Sequence, residues 1–353
     1  MSTADTPGHK GPPPGLHLYT RDGFVGKMCV AIRPHMIYEY SAVDGPHAPR
    51  RLNVGAIAAT DRDDPWALPT PIASNREGVV VSVSARSAEM PYVFRNVECD
   101  EIHFIQAGEI EFITDFGVLQ AGPGDFVALG RTITYRVRPL TPSTLRIVVE
   151  TPEVLDLAPP APFGMVNQGR DVKRPTLIDL PEEGAELWLK SFDGVTRYRV
   201  PRNPLACKAV IDGTPPAWKL NLRAIAPLAY PTSGGPPAQF CQSSTADIMF
   251  YTLSSRPPAG RPPQHHNADY DELIFYFEGP GAYGAMTDPG DMIWTPKGVT
   301  HWGPTEHVAE GYFAWLLETR GTMRLTDAAL AAGSAMETGS FGLQVAFAPS
   351  PSA

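Results

Sequence analysis

The sequence is poor in the features that would place it quickly. It has four cysteines in 353 residues, Cys29, Cys99, Cys207 and Cys241, far apart and without a CxxC pair. That excludes a disulfide-stapled scaffold and a cysteine zinc site, and the thiols are expected to be reduced and buried in a cytoplasmic protein. No apolar run approaches the ~18 residues that a bilayer span needs, so no membrane partner is expected. Residues 1–15 (MSTADTPGHKGPPPG) lack the apolar core of a signal peptide and are expected to form a disordered arm. Basic charge is also scarce. Lys and Arg number 29 against 38 Asp and Glu, a formal net charge of −9, with no basic stripe to neutralise phosphates. Nucleic acid is therefore not an expected partner.

Turn residues, by contrast, are abundant. There are 38 prolines and 32 glycines, and 43% of the chain is apolar. Each proline inside a helix costs about 3 kcal/mol, so a helical bundle is excluded, and the apolar content is enough for a core. An all-β body with many turns is the expected fold class. GVVVSVSA (Gly78–Ala85) reads as a strand, and Glu101–Gly130 as a meander of hairpins punctuated by glycines. From about Pro139 to Glu183 the chain is proline-rich and reads as a connector. A second β-rich block opens near Asp247 (DIMFYTL) and runs through ELIFYFEG and GYFAWLLETRG. Thr326–Ala332 offers a short capped helix.

The two β blocks repeat one another. FRNVECDEIHFIQAG (Phe94–Gly108) aligns without a gap on HHNADYDELIFYFEG (His265–Gly279). Asn96, Asp100, Glu101, Phe104 and Gly108 match Asn267, Asp271, Glu272, Phe275 and Gly279. Downstream, Gly124-Asp125 matches Gly290-Asp291. A duplicated unit explains this order of matches.

Only the second copy carries a cluster of metal-ligand residue types: His265, His266, Glu272, His301 and His307. Imidazoles with a carboxylate suit Fe(II), Zn, Mn or Ni. Along one continuous strand, His266 and Glu272 would share a face, because their separation is even. A bend over Asn267–Asp271 would instead bring two strand ends together. The first copy has Phe94 and Arg95 at the two histidine positions and Tyr135 at the His301 position, so it is expected to hold no metal. His103 reads as a structural histidine there.

The stretch GDMIWTPKGVTH (Gly290–His301) resembles the second motif of the cupin superfamily, G-x5-P-x-G-x2-H, at every fixed position. Glu272-x6-Gly279 resembles the end of the first cupin motif, with His265 or His266 at its first histidine; the motif's second histidine is absent. This resemblance implies a bicupin, two stacked double-stranded β-helix (jelly-roll) barrels. The expected divisions are a degenerate N-terminal cupin over 16–160, a connector with flanking strands over 161–245, and a metal-binding cupin over 246–345.

A closer resemblance lies at Arg261–Glu272. R-P-P-Q-H-H-N-A-D-Y-D-E is similar to the R-P-P-x-x-H-x5-E segment of homogentisate 1,2-dioxygenases, and the large subunit of hydroquinone 1,2-dioxygenases has a similar layout. Thr114–Gly117 (TDFG), His301–Pro304 (HWGP) and Phe313–Glu318 (FAWLLE) are similar to further family segments. The resemblance implies an Fe(II)-dependent, ring-cleaving dioxygenase acting on a hydroquinone-type phenol with O2. It selects His266, Glu272 and His301 as metal ligands. His265, pointing away, is then the expected proton donor, and Tyr276, Trp302 and His307 are expected near the substrate. A homo-oligomer is expected, and a second subunit is compatible with the hydroquinone layout. Gentisate dioxygenases are also bicupins, but they use several histidines in the first cupin, which this chain lacks. A cupin isomerase would favour a basic, polar pocket, whereas Tyr270, Phe275, Tyr276, Phe277, Tyr283, Trp294 and Trp302 make the surrounding sequence aromatic.

Overall fold

The computed structural model describes residues 15–23, 26–35, 37, 40, 42–158, 166–226, 237–256, 263–303 and 308–339. Among them strands dominate, as the proline and glycine content requires, and the fold is all-β, built as two barrels. The helix expected in the tail is Asp327–Ala332, with the Thr326 hydroxyl capping the Ala329 N–H. No helix among the described residues is long and apolar enough to cross a membrane.

Four sheets build two barrels. In the first barrel, a seven-stranded sheet has Asp100–Ala107 between Asp125–Leu129 and Leu145–Thr151, with Val80–Ser84 next. A six-stranded sheet completes it, with Val93–Asn96, Thr134–Pro139 and Ile110–Thr114 as consecutive neighbours. The second barrel repeats the first order. Asp271–Glu278 lies between Asp291–Thr295 and Phe313–Thr319, and Ile248–Thr252 follows. Its companion is a three-stranded sheet, Gln264–Asn267 beside Leu16–Thr20 beside Met28–Ile32.

Strand alternation sorts the side chains into two populations. In Asp271–Glu278, Leu273, Phe275 and Phe277 join a core shared by both barrels, with Phe104, Phe126, Trp294 and Trp315. The Phe104 ring lies 5.3 Å from Phe277 and 5.2 Å from Trp315, and Phe275 stacks on Trp315 at 4.1 Å. Each buried aromatic of this kind contributes about 1.5–3 kcal/mol, so the barrels are locked face to face. The alternate residues, Glu272, Ile274 and Tyr276, face the second barrel's interior. Glu101, His103 and Ile105 do the same in the first.

Both Gly-Asp turns depend on their glycine. Gly124 has φ +87°, and a Cβ there would lie 2.9 Å from Arg223 Nη1 and 3.0 Å from the Phe277 ring. Gly290 has φ +91°, with Asn53 Oδ1 3.2 Å from the Cβ position. Other residues are strained in that region of backbone space.

Several expectations need correction. The strands Leu16–Thr20, Met28–Ile32 and Arg50–Asn53 do not belong to the N-terminal barrel. Leu16–Thr20 pairs in parallel with Gln264–Asn267, and Arg50–Asn53 pairs with Asp291–Thr295. In return, Arg324–Leu325 pairs with Thr70–Ser74 of the first barrel. The expected connector begins too early, because Leu145–Thr151 is a buried strand of the first barrel. Inside the 161–245 connector, the hairpin Ala185–Ser191/Gly194–Val200 and the strand Ala217–Asn221 extend the first barrel, whereas Ala238–Ser243 joins the second. The cysteines are all free, but only Cys99 and Cys241 are buried and Cys29 is exposed. The expected arm at 1–15 lies outside the described residues, apart from Gly15.

Candidate metal centre

Three side chains of the second barrel converge. His265, Glu272 and His301 each offer a ligand atom, and these atoms lie within 4.8 Å of one another, all in buried residues. Backbone pairing brings the histidines together. His265 and His301 exchange both N–H···O bonds at 2.9 Å, and their rings lie 4.1 Å apart. Each ring is oriented through Nδ1, at 2.8 Å from the Pro263 carbonyl for His265 and 3.1 Å from the Val299 carbonyl for His301. A carbonyl only accepts, so both Nδ1 atoms donate, and the lone pairs of neutral rings reside on Nε2. His301 Nε2 is 3.4 Å from Glu272 Oε2. The other carboxylate oxygen, Oε1, accepts from Asn267 Nδ2 at 2.6 Å. Asn267 is itself held by Thr20, at 2.8 Å.

The protonation states differ between the two imidazoles, and a cation would have to displace a proton from His301. Burial and the neighbouring His301 push His265 down to about 3, so it is neutral at physiological pH. Burial opposes the charged form of His301 as well, but Glu272 outweighs it and raises the imidazole pKa. Glu272 is penalised by burial and still lowered by His301. A carboxylate in contact with two imidazoles, two of its partners fixed from behind, is a donor set with one negative charge and convergent lone pairs. It fits a divalent metal ion.

His266, expected as the first ligand, is not in this cluster; His265 is. The even-spacing argument assumes one continuous strand, but the chain bends at Ala268–Tyr270, between Gln264–Asn267 and Asp271–Glu278. Parity does not carry across a bend. With His265 facing Glu272, its neighbour must face the other way. The His266 Nδ1 atom lies 3.1 Å from His17 Nε2, and Tyr19 meets the ring edge-on at 5.4 Å. The structure thus brings His265, expected to point away, into the cluster and turns His266 out of it.

The remaining site residues separate. Tyr276 shares the interior face with Glu272 but stands four residues along the strand, about 13 Å away. Its hydroxyl donates to the Gly279 carbonyl at 2.9 Å and to the Gly281 carbonyl. It closes a loop and has no free hydroxyl to offer a substrate. Trp302, half-buried, follows His301, and its backbone N–H donates to Thr338 at 2.8 Å. His307 lies outside the described residues. Of the aromatics expected around the site, Phe275, Phe277 and Trp294 serve the core between the barrels, whereas Tyr270, Tyr276 and Tyr283 cluster on the second barrel's own side.

One residue was visible in the sequence only as the end of FAWLLE. Glu318 sits opposite Glu272 in the ladder and is fully buried. Burial, followed by repulsion from Glu272, pushes its carboxyl up to about 8, and its Oε2 atom has no hydrogen-bond partner.

No protein-family model matches the chain. A protein of Saccharolobus solfataricus described as "Putative dioxygenase" is 26% identical over 245 residues. The match covers 65% of this chain and 61% of that protein, so the chain spans about three-fifths of the relative's length. Among solved structures, Escherichia coli YlbA superposes with a TM-score of 0.43 at 8% identity, covering 80% of this chain and 95% of that one. Bacillus subtilis oxalate decarboxylase gives 0.42 at 10% identity, covering 80% and 79%. At TM-scores below 0.5 the shared shape is loose, and neither activity nor metal passes from these proteins to this one.

Proposed function

We propose that the chain is an Fe(II)-dependent dioxygenase that opens the ring of a hydroquinone-type phenol, homogentisate-like, with O2. The observation that carries the reading is the convergence of His265, His301 and Glu272 in one buried cluster. Two imidazoles and one carboxylate leave a divalent ion with a net charge of +1 and with open coordination positions. The similarity to a dioxygenase-named protein and the Arg261–Glu272 motif support the same direction.

Bound Fe(II) would supply the open positions for a phenol oxygen and O2 and would favour the phenolate form. The chain's own groups set the stage. The Pro263 and Val299 carbonyls fix both imidazoles in the Nδ1–H tautomer. Asn267, anchored by Thr20, fixes Glu272. Burial of all three donors keeps bulk water from competing for the donor atoms. With His265 among the donors, the buried Glu318 carboxyl opposite Glu272 replaces it as the candidate proton-carrying group.

The test is an anaerobic, Fe(II)-loaded preparation exposed to O2 with homogentisate, hydroquinone or gentisate. Oxygen uptake with a ring-opened product absorbing at longer wavelength is expected for at least one of them. Tightly bound iron with no oxygen uptake on any of the three would sink the reading. A requirement for a second polypeptide would point to the two-subunit hydroquinone type.

A further inference from the structure

The first barrel has Phe94 and Tyr135 where the second has His265 and His301, and its interior is not filled. A cavity of about 280 Å³ remains, lined by Leu68, Met90, Tyr92, Phe94, Tyr135 and Val148 on its apolar side. Arg86, Glu101, Arg146, Glu150 and Lys190 contribute its charges. An apolar cavity of about 150 Å³ already accommodates benzene, so this one has room for a ring with a substituent.

All the charged groups here except one are matched. Arg86 donates to the Pro65 and Ala67 carbonyls at 2.6 and 2.7 Å; its Nε makes no hydrogen bond but is ion-paired with Asp61 at 3.7 Å. Asp61 accepts from Ser84 and from the Ala85 N–H. Lys190 holds both oxygens of Glu150, at 2.5 and 2.6 Å. Glu101 accepts from Tyr135 at 2.7 Å and Asn96 at 3.0 Å, and lies 3.2 Å from His103. Arg146 is the exception. It is 2% exposed, and its Nε and Nη1 atoms are buried with no hydrogen-bond partner. The ring of Phe112, 5.7 Å from its guanidinium carbon, is an aromatic neighbour. Strand register places Arg146, Val148 and Glu150 on the interior face, opposite Ser84, Ser82 and Val80. A buried guanidinium with unused donors, facing an apolar cavity, is an incomplete ion pair.

We propose that the interior of the N-terminal barrel binds a small organic carboxylate with a ring-sized apolar body, its carboxylate received by the unused Arg146 donors and its ring lying among Tyr92, Phe94 and Tyr135. A planar carboxylate matches two parallel N–H donors of a guanidinium. The site is separate from the His265–Glu272–His301 cluster and independent of the function proposed for it.

The experiment uses the full chain and calorimetric titration with benzoate, phenylacetate and acetate, with benzyl alcohol and chloride as controls, beside thermal melting. Benzoate or phenylacetate is expected to bind one site per chain and to raise the melting temperature in the wild type and in His301→Ala alike. Arg146→Met is expected to lose at least tenfold in affinity. Its ligand-free melting temperature should hold or rise, because an apolar isostere relieves the orphaned charge; a purely structural Arg146 would instead lower it. If Arg146→Met does not fold, Arg146→Lys carries the test, with weakened binding expected as the two-donor fork is lost. The proposal is overturned if no carboxylate binds, if chloride or benzyl alcohol binds as tightly, if binding survives in Arg146→Met or is undiminished in Arg146→Lys, or if it disappears in His301→Ala.

Discussion

The two barrels share one internal frame and fill it with different chemistry. In each, an asparagine amide holds the inward glutamate: Asn96 on Glu101 at 3.0 Å and Asn267 on Glu272 at 2.6 Å. A second buried glutamate faces the first across the ladder, Glu150 opposite Glu101 and Glu318 opposite Glu272. The difference begins at two residues, and His103 and Lys190 add to it by pairing with Glu101 and Glu150. Where the second barrel has His265 and His301, the first has Phe94 and Tyr135. Tyr135 donates its hydroxyl to Glu101 at 2.7 Å and satisfies the carboxylate internally. His301 Nε2 approaches Glu272 at 3.4 Å and offers a lone pair to a cation only once its proton leaves. The same scaffold thus satisfies its inward glutamate by hydrogen bonds in one half and gathers a candidate metal donor set in the other.

Breaking this contrast should have its largest effect at the adjacent histidines. His265→Ala is expected to lose nearly all bound iron, whereas His266→Ala should retain it, with iron per chain measured after desalting. Retention in the first and loss in the second would reverse the ligand assignment. Next in size is the pair of matched glutamates. Glu272→Gln should empty the site, and Glu101→Gln should leave iron content unchanged while disturbing the bonds to Tyr135, Asn96 and His103. That disturbance should cost about 1–3 kcal/mol of unfolding free energy, measured by denaturant titration.

A pH experiment distinguishes the halves further. The folded pKa of Glu318 is raised to about 8, above its value in the unfolded chain. Its stabilising contribution is full below the unfolded carboxyl pKa of about 4.3 and is lost as pH rises towards 8. Metal-free protein should therefore lose stability across that window, and Glu318→Gln should flatten the loss; an unchanged slope would exclude Glu318 as its source. The Glu101 carboxyl is shifted the other way. Burial opposes its charge, but His103, Asn96 and Tyr135 lower it below the usual range. Its contribution is present above the unfolded pKa and disappears as pH falls through the folded one. Tyr135→Phe should weaken that acid-side dependence and cost about 1 kcal/mol, with iron binding intact. The smallest effects should be alike in both halves. Gly124→Ala and Gly290→Ala each force a side chain into positive φ, at a cost of about 1–2 kcal/mol by denaturant titration.

Much of this was legible in the sequence because it is local. The Asn-x4-Glu spacing, the Gly-Asp turns and the proline-glycine punctuation record strand, turn and repeat directly. So does Thr326, whose hydroxyl caps the helix it precedes. The histidine frame was not legible, because alternation predicts facing only along an unbroken strand and the bend at Ala268–Tyr270 resets it. The gapless repeat did hold the clue: it places His265 on the interior Phe94, and Asn267 on the glutamate-holding Asn96. The exchange of strands between halves was not legible either. Leu16–Thr20 reads as a short strand, but its pairing with Gln264–Asn267 spans almost 250 residues and leaves no local mark. Glu318 and Arg146 look ordinary in sequence. Their meaning comes from buried polar atoms left without a hydrogen bond, Glu318 Oε2 and Arg146 Nε and Nη1, which depends on the whole barrel.

The most direct test of the central claim is iron stoichiometry measured side by side in wild type, His301→Ala and Tyr135→Ala, with O2 uptake recorded on the same preparations. One iron per chain in wild type and Tyr135→Ala, and almost none in His301→Ala, is the predicted result, with O2 uptake lost together with the iron. Two irons per chain, or iron that leaves with Tyr135 and remains without His301, would contradict it.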